Sequence, residues 1–225
     1  MNYNKLEEIV SKPRLKRYKQ ACNGNEQQAI KLYNLNVALS QFYYPYLSMF
    51  EVAFRNAIDV EMRRYFNNDS WQITENRPDG FVSTLAASGD SYMKQTVNKI
   101  FAKYDNRATH LHIISEVSLG FWTRFFKRNY FRLLQGRPIH IFKNATIGIQ
   151  RTDVSNTLRK IQQYRNRIYH NEPICFVNRQ VDVTAIETLY IDLNRIMTWI
   201  SADIIQFVNN AEKHQSIIRQ IKNLR

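Results

Sequence analysis

At 225 residues, with 44% hydrophobic and 13% aromatic side chains, the chain can bury a core without disulfides or metal and is too apolar to be disordered. Lys and Arg number 32 against 19 Asp and Glu, a net charge of +13 that points to a polyanionic partner, either nucleic acid or an anionic membrane surface. Cys22 and Cys175 lie far apart and form neither a CxxC pair nor a metal-ligand cluster, which fits a reduced, cytoplasmic setting.

The opening MNYNKLEEIV lacks the apolar stretch of a signal peptide, and no run of about 18 apolar residues follows that could span a membrane. Few glycines and prolines predict long helices. Residues 1–24 read as a short helical extension, with Pro13 opening a basic helix and Gly24 ending it. Asn25 sits as an N-cap before a pattern that runs to about Phe66. Ile30, Tyr33, Val37, Tyr44, Leu47, Phe54 and Ile58 mark its apolar face, and Pro45 is expected to kink or split it. NNDSWQITENRPDG reads as loop, Ser91–Lys103 as helix, and Thr109 as the N-cap of THLHIISEV. Residues 137–149 read as loop and short helix. A helix is predicted from Arg151 to His170, because Pro173 disfavours helix at Glu172. Val183 to Phe207 gives a continuous apolar stripe, and a basic tail helix follows. The whole reads as one all-α bundle spanning residues 1–225 as a single domain.

YRNRIYHNEPICF, from Tyr164 to Phe176, gathers the most chemistry. Asn166 and His170 share a helix face, whereas Arg165 and His170 stand about 140° apart on an ideal helix. They converge only if the last turn distorts or a second copy faces them. Imidazole is suited to proton transfer near neutrality, and guanidinium stabilises charge on phosphate. Those are the needs of metal-independent RNA cleavage: the 2′-OH loses a proton, the pentacoordinate phosphate is neutralised, and the leaving 5′-oxygen is protonated. DNA lacks the 2′-OH, so this chemistry selects RNA. An R-x4-H spacing also arises at ordinary surface or helix-capping histidines.

YRNRIYHNEPI resembles the R-x4-H signature of the HEPN superfamily, and most closely its abortive-infection (Abi-like) branch, where the motif reads RNRIAHHEPI. FEVAFRNAID (Phe50–Asp59) is similar to that branch's LEVALRNAI segment, and ISEVSLGFWTRFF (Ile114–Phe126) to its ELSFGFW segment. The resemblance implies an all-α, HEPN-like helical bundle that forms a homodimer with its two motifs facing. It implies a metal-independent endoribonuclease, a hydrolase acting as a toxin in phage defence, with no cofactor and no metal. Arg165 would bind the scissile phosphate, His170 would be the acid or base, and Asn166 would orient either. Asn171 departs from the pattern, standing where many relatives carry a second histidine. Arg167 adds charge, Pro173 is structural, and Glu172 is a hydrogen-bond partner of undecided role.

Two flanking segments carry paired readings. Glu51, Arg55 and Asp59, at i, i+4 and i+8, read as an intrahelical ion ladder, or Arg55 and Asn56 support the motif from beside it. GFWTRFFKRNYF reads as an amphipathic core helix with basic outer residues, or as aromatics and Arg124, Lys127, Arg128 and Arg132 binding RNA. His110, His112, His140 and His214 read as ordinary. Besides the nuclease, a non-catalytic module holding a structured RNA fits the charge, whereas a membrane-surface role does not, since the basic residues are spread along the chain. A toxic nuclease needs restraint, which a cognate small RNA or antitoxin would supply.

Overall fold

The computed structural model describes residues 2–146, 148–208 and 210–224. The fold is all-α, with a single two-stranded hairpin among the described residues. Helices α1 (Tyr3–Val10) and α2 (Lys12–Ala21) precede the long α3 (Glu26–Phe66). Asn25 caps α3 as expected, its side chain accepting the Gln28 amide at 3.0 Å. Short helices follow: α4 (Trp71–Thr74), α5 (Phe81–Ala87), α6 (Tyr92–Lys103), α7 (His110–Glu116), α8 (Leu119–Thr123) and α9 (Arg128–Leu133). Single 3-10 turns occupy Arg124–Phe126 and Arg137–Ile141. Then come α10 (Arg151–Tyr169), strands β1 (Phe176–Val177) and β2 (Gln180–Val181), α11 (Thr184–Ile200), α12 (Ile204–Val208) and α13 (Ala211–Lys222). No helix of the described residues is long and apolar enough to cross a membrane.

Several expectations change. Pro45 does not split α3, and Tyr43, Tyr46 and Leu47 around it are buried. The predicted face of α3 holds in the C-terminal part, where Leu47, Phe54 and Ile58 are fully buried, and fails in the N-terminal part. Val37 and Tyr44 are exposed, and the buried face carries Leu32, Asn36, Leu39 and Tyr43 instead. WQIT is helical rather than loop. GFWTRFFKRNYF is broken into α8, a 3-10 turn and α9 rather than one helix. The stripe from Val183 stops at Ile200, and Phe207 is 77% exposed. The hairpin was not foreseen. Asn178 and Arg179 both have positive φ, the backbone of a tight two-residue turn, with Phe176 opposite Val181.

The chain divides into two compact units. One holds the described residues of Met1–Met49, Gln163–Arg195 and Ile205–Arg225; the other holds Phe50–Gln162 and Ile196–Ile204. In the first, aromatic packing surrounds His214, which is 4% exposed and stacks on Tyr190 at 4.4 Å. Tyr43 donates its hydroxyl proton to the Ile186 carbonyl at 2.7 Å, so Nε2 of His214, 2.8 Å from that hydroxyl, carries a hydrogen. Burial lowers the pKa of His214 below its ordinary 6.5, against a weaker opposing pull from Glu187. The unfolded chain therefore takes up this proton more readily. The stability involved is complete above pH ~6.5 and is lost as pH falls below it. Thermal unfolding is expected to show a lower Tm near pH ~5 than near pH ~7.5, with a shallower dependence in His214→Phe.

In the second unit the core is aromatic: Phe50, Phe54, Trp71, Trp122, Phe125 and Phe126 are fully buried or nearly so. Asp59, 3% exposed, organises its polar centre. Trp71 Nε1 and Gln72 Nε2 each donate to Asp59 Oδ1 at 3.0 Å, and Arg63 Nε and His110 Nε2 lie 3.1 and 3.3 Å from Oδ2. The carboxylate thus takes its partners from Arg63 and from distant residues rather than from Arg55, so the expected Arg55–Asp59 rung of the ladder is not formed. Its demand for donors also explains why α4 forms in a loop-like sequence.

Candidate active site

The end of α10 is built by local chain chemistry. Asn171 adopts φ 55°, its amide bonds the Ile168 carbonyl at 3.1 Å, and the Glu172 amide bonds the Arg167 carbonyl at 2.8 Å. These two bonds make a Schellman cap with His170 at the C-cap. Asparagine tolerates the left-handed conformation better than most residues, so Asn171, which departs from the motif, suits the capping position. Pro173 follows where helix cannot continue.

Arg167 closes the loop after the cap. Its guanidinium donates to the Pro173 carbonyl, lies over the Tyr164 ring and sits 3.8 Å from the Glu172 carboxylate. Glu172 therefore has a partner, and Arg167 holds structure. Beyond the proline, Asn36 of α3, 5% exposed, accepts the amides of Ile174 and Cys175 at 2.8 and 3.3 Å. Cys175 is buried, which pushes its thiol up to about 12 and makes it a poor nucleophile. Asn36→Ala strands two buried amides at about 1–3 kcal/mol each, so a fall in stability of that order is expected in urea unfolding, with α10 still helical.

What this frame presents is Arg165, Asn166 and His170. Asn166 and His170 are exposed and Arg165 is half-buried. Arg165 stacks over the Tyr169 ring at 4.2 Å, and its Nη1 lies 3.5 Å from Asn166 Oδ1. Tyr169 in turn packs edge-on to Tyr44, ring centres 5.2 Å apart. Arg14 of the basic α2 donates to the Asn171 carbonyl at 3.2 Å, bringing another cation to the cap. The sequence reading missed Arg14; the charge run RLKR was its only signal. The end of α10 thus carries an exposed imidazole, a stacked guanidinium and a further cation at its cap. That combination can bind a phosphodiester and move a proton beside it.

The remaining candidates lie in the other unit. Arg124 donates from Nη1 to both carboxylate oxygens of Asp90, at 3.1 and 3.2 Å, and stacks on Tyr92 at 3.8 Å. Lys127 is 3.8 Å from the same carboxylate, while Arg128 is exposed. Phe121, Trp122, Phe125 and Phe126 are buried, which favours the core reading for these aromatics over base stacking. The glycine of this segment, Gly120, lets α8 approach α10: a Cβ there would meet Gln162 Nε2 at 3.0 Å, and Thr123 Oγ1 donates to Gln162 Oε1 at 3.2 Å. Arg55 lies 3.4 Å from Asn56 Oδ1, Asn56 lines a cavity, and Glu51 is half-buried. Among the described residues no group of three or more His, Cys, Asp or Glu is arranged to hold a metal ion.

No curated protein and no solved structure matches the chain. The family model described as Abi-like protein matches residues 2–175. That span runs from the first helix through Arg165, Asn166 and His170 to Cys175, well over half of the sequence, and on it the chain belongs to the Abi-like protein family.

Proposed function

We propose that this Abi-like protein is a metal-independent endoribonuclease of the HEPN superfamily, a single functional domain acting as a cytoplasmic homodimer. The observation that carries the reading is the Arg165–Asn166–His170 group, its asparagine and histidine exposed, on a Schellman-capped helix end with Arg14 beside it. Two such ends facing each other complete a site that a lone helix, with Arg165 and His170 about 140° apart, leaves open. His170 takes the proton of the 2′-OH or returns one to the leaving 5′-oxygen. Arg165, pre-oriented by Tyr169, neutralises the phosphate as charge builds on it. Asn166 steadies Arg165 or the phosphate. The net charge of +13 supplies the attraction for RNA.

The family supports a setting in abortive infection or a toxin–antitoxin pair, where a cognate small RNA or antitoxin covers the basic surface until release. The full chain is expected to cut RNA in EDTA, with a rate per chain that falls on dilution as dimers dissociate. RNA binding with no cleavage at any protein concentration would instead assign the chain to non-catalytic RNA holding.

A further inference from the structure

In the unit formed by Phe50–Gln162 and Ile196–Ile204, a cavity of about 320 Å³ opens beside the C-terminal half of α3. Ala53, Ala57, Val60, Ile141 and Ile200 give it apolar walls. Its polar groups are sorted. Glu61 lines it with a side chain only 10% exposed. Arg64 and Lys143, both exposed, stand at the solvent side together with Asn56 and His140.

Among the described residues no donor comes within hydrogen-bond distance of the Glu61 carboxylate. Arg137 Nη1 and His140 Nδ1 lie 3.9 and 3.7 Å from Oε1, near enough to balance charge but beyond hydrogen-bond distance. A carboxylate has acceptor capacity on both oxygens, and at Glu61 that capacity faces the cavity. A ligand that brings two adjacent N–H donors would satisfy it.

We propose that this cavity binds a guanine nucleotide, with Glu61 accepting from the N1–H and N2–H2 edge of the base. Among the common bases only guanine presents two neighbouring donors on that edge; adenine, cytosine and uracil each present a single donor group there, flanked by acceptors. The apolar walls suit the faces of a planar ring, and about 320 Å³ is at the small end of ligand sites, enough for a base and sugar. Arg64 and Lys143 meet the phosphate where it leaves the cavity. Arg64 and Val60 also line a second, more polar cavity of about 370 Å³ with Arg63, Asn67, Asn68 and Asp69. The inference stands apart from cleavage, since a guanine site serves a binding module equally well.

Calorimetric titration of the full chain tests it. GMP is expected to bind about tenfold or more tighter than AMP or CMP, with IMP, which lacks the N2 amino group, in between. Equal affinity for GMP and AMP, or for GMP and IMP, overturns the base contact, as does no GMP binding. Glu61→Gln is expected to remove the preference for GMP over AMP. If that variant fails to fold, Arg64→Ala on the surface decides: GMP affinity should fall while guanosine affinity holds, and a GMP affinity equal to wild type refutes the phosphate arm. Comparing ApGpA with GMP separates the sources. Tighter trinucleotide binding makes the ligand an RNA guanine, and tighter GMP binding makes it the free nucleotide.

Discussion

Replacing His170 with alanine is expected to lower RNA cleavage by about 10²–10⁴-fold, the range for loss of a general acid or base, so that no fragments appear over the time in which the wild type cuts a few per cent of the RNA, with thermal unfolding unchanged. The two halves of this expectation have separate causes. His170 is exposed at the C-cap, and the cap is made by the backbone of Asn171 and Glu172, so its side chain contributes little to folding. Arg165→Ala should lose activity on a similar scale, because a developing phosphate charge would go unpaired. RNA affinity should fall as well, since in the proposed site the same guanidinium would also meet the ground-state phosphate. Arg167→Ala provides the contrast. Arg167 ties Pro173, Glu172 and Tyr164 together, so its loss should appear as lowered Tm, with any activity change following stability. If Arg167→Ala abolished cleavage in a protein as stable as wild type, the division between Arg165 and Arg167 would be wrong.

The largest stability effect is expected at Asp59. Asp59→Ala leaves the Trp71 and Gln72 donors and the charges of Arg63 and His110 without their acceptor. Breaking a buried, multiply bonded charge in this way costs about 3–5 kcal/mol. At about 2–4 °C per kcal/mol for a chain of this size, Tm should fall by about 6–20 °C. Asp59→Asn keeps one acceptor oxygen and should lose less. Scanning calorimetry of the two variants beside wild type checks both the size and the order; a Tm for Asp59→Ala within ~2 °C of wild type would show that the network contributes little.

What could be read from sequence was local chemistry. Asn25, Thr109 and the Pro173 stop each act through neighbours within three residues, and the helix ends they predict are present. What could not be read was pairing across the chain. Asn36 looks like a surface residue until the amides of Ile174 and Cys175, far along the sequence, arrive to use it. In the N-terminal part of α3 the buried stripe differs from the predicted one for the same reason. Tyr44 and Val37 are as apolar as the residues beside them, and only the partners of the buried face decide which stripe turns inward. WQIT is loop-like by composition and helical because Asp59 draws in Trp71 and Gln72. The hairpin rests on Asn178–Arg179, a turn pair much weaker than Asn-Gly as a signal.

At the candidate site, the motif residues were legible and their roles divided only in three dimensions. Arg165 and Arg167 are equivalent in the string YRNRIYH, yet one stacks on Tyr169 at the exposed end and the other folds the loop behind it. Arg124 and Lys127 look equally available in sequence, but Asp90 engages both. Glu61 and His140 carried no motif, and their meeting in one cavity depends on the 3-10 turn at Arg137–Ile141.

The most direct measurement is end-group analysis of RNA incubated with the purified full chain in EDTA. Attack by the 2′-OH predicts fragments ending in 2′,3′-cyclic phosphate, no cut at a position carrying a single 2′-deoxy sugar, and no fragments with His170→Ala. Fragments ending in 3′-hydroxyl, cleavage only on addition of divalent metal, or a His170→Ala variant that cuts like wild type would contradict it.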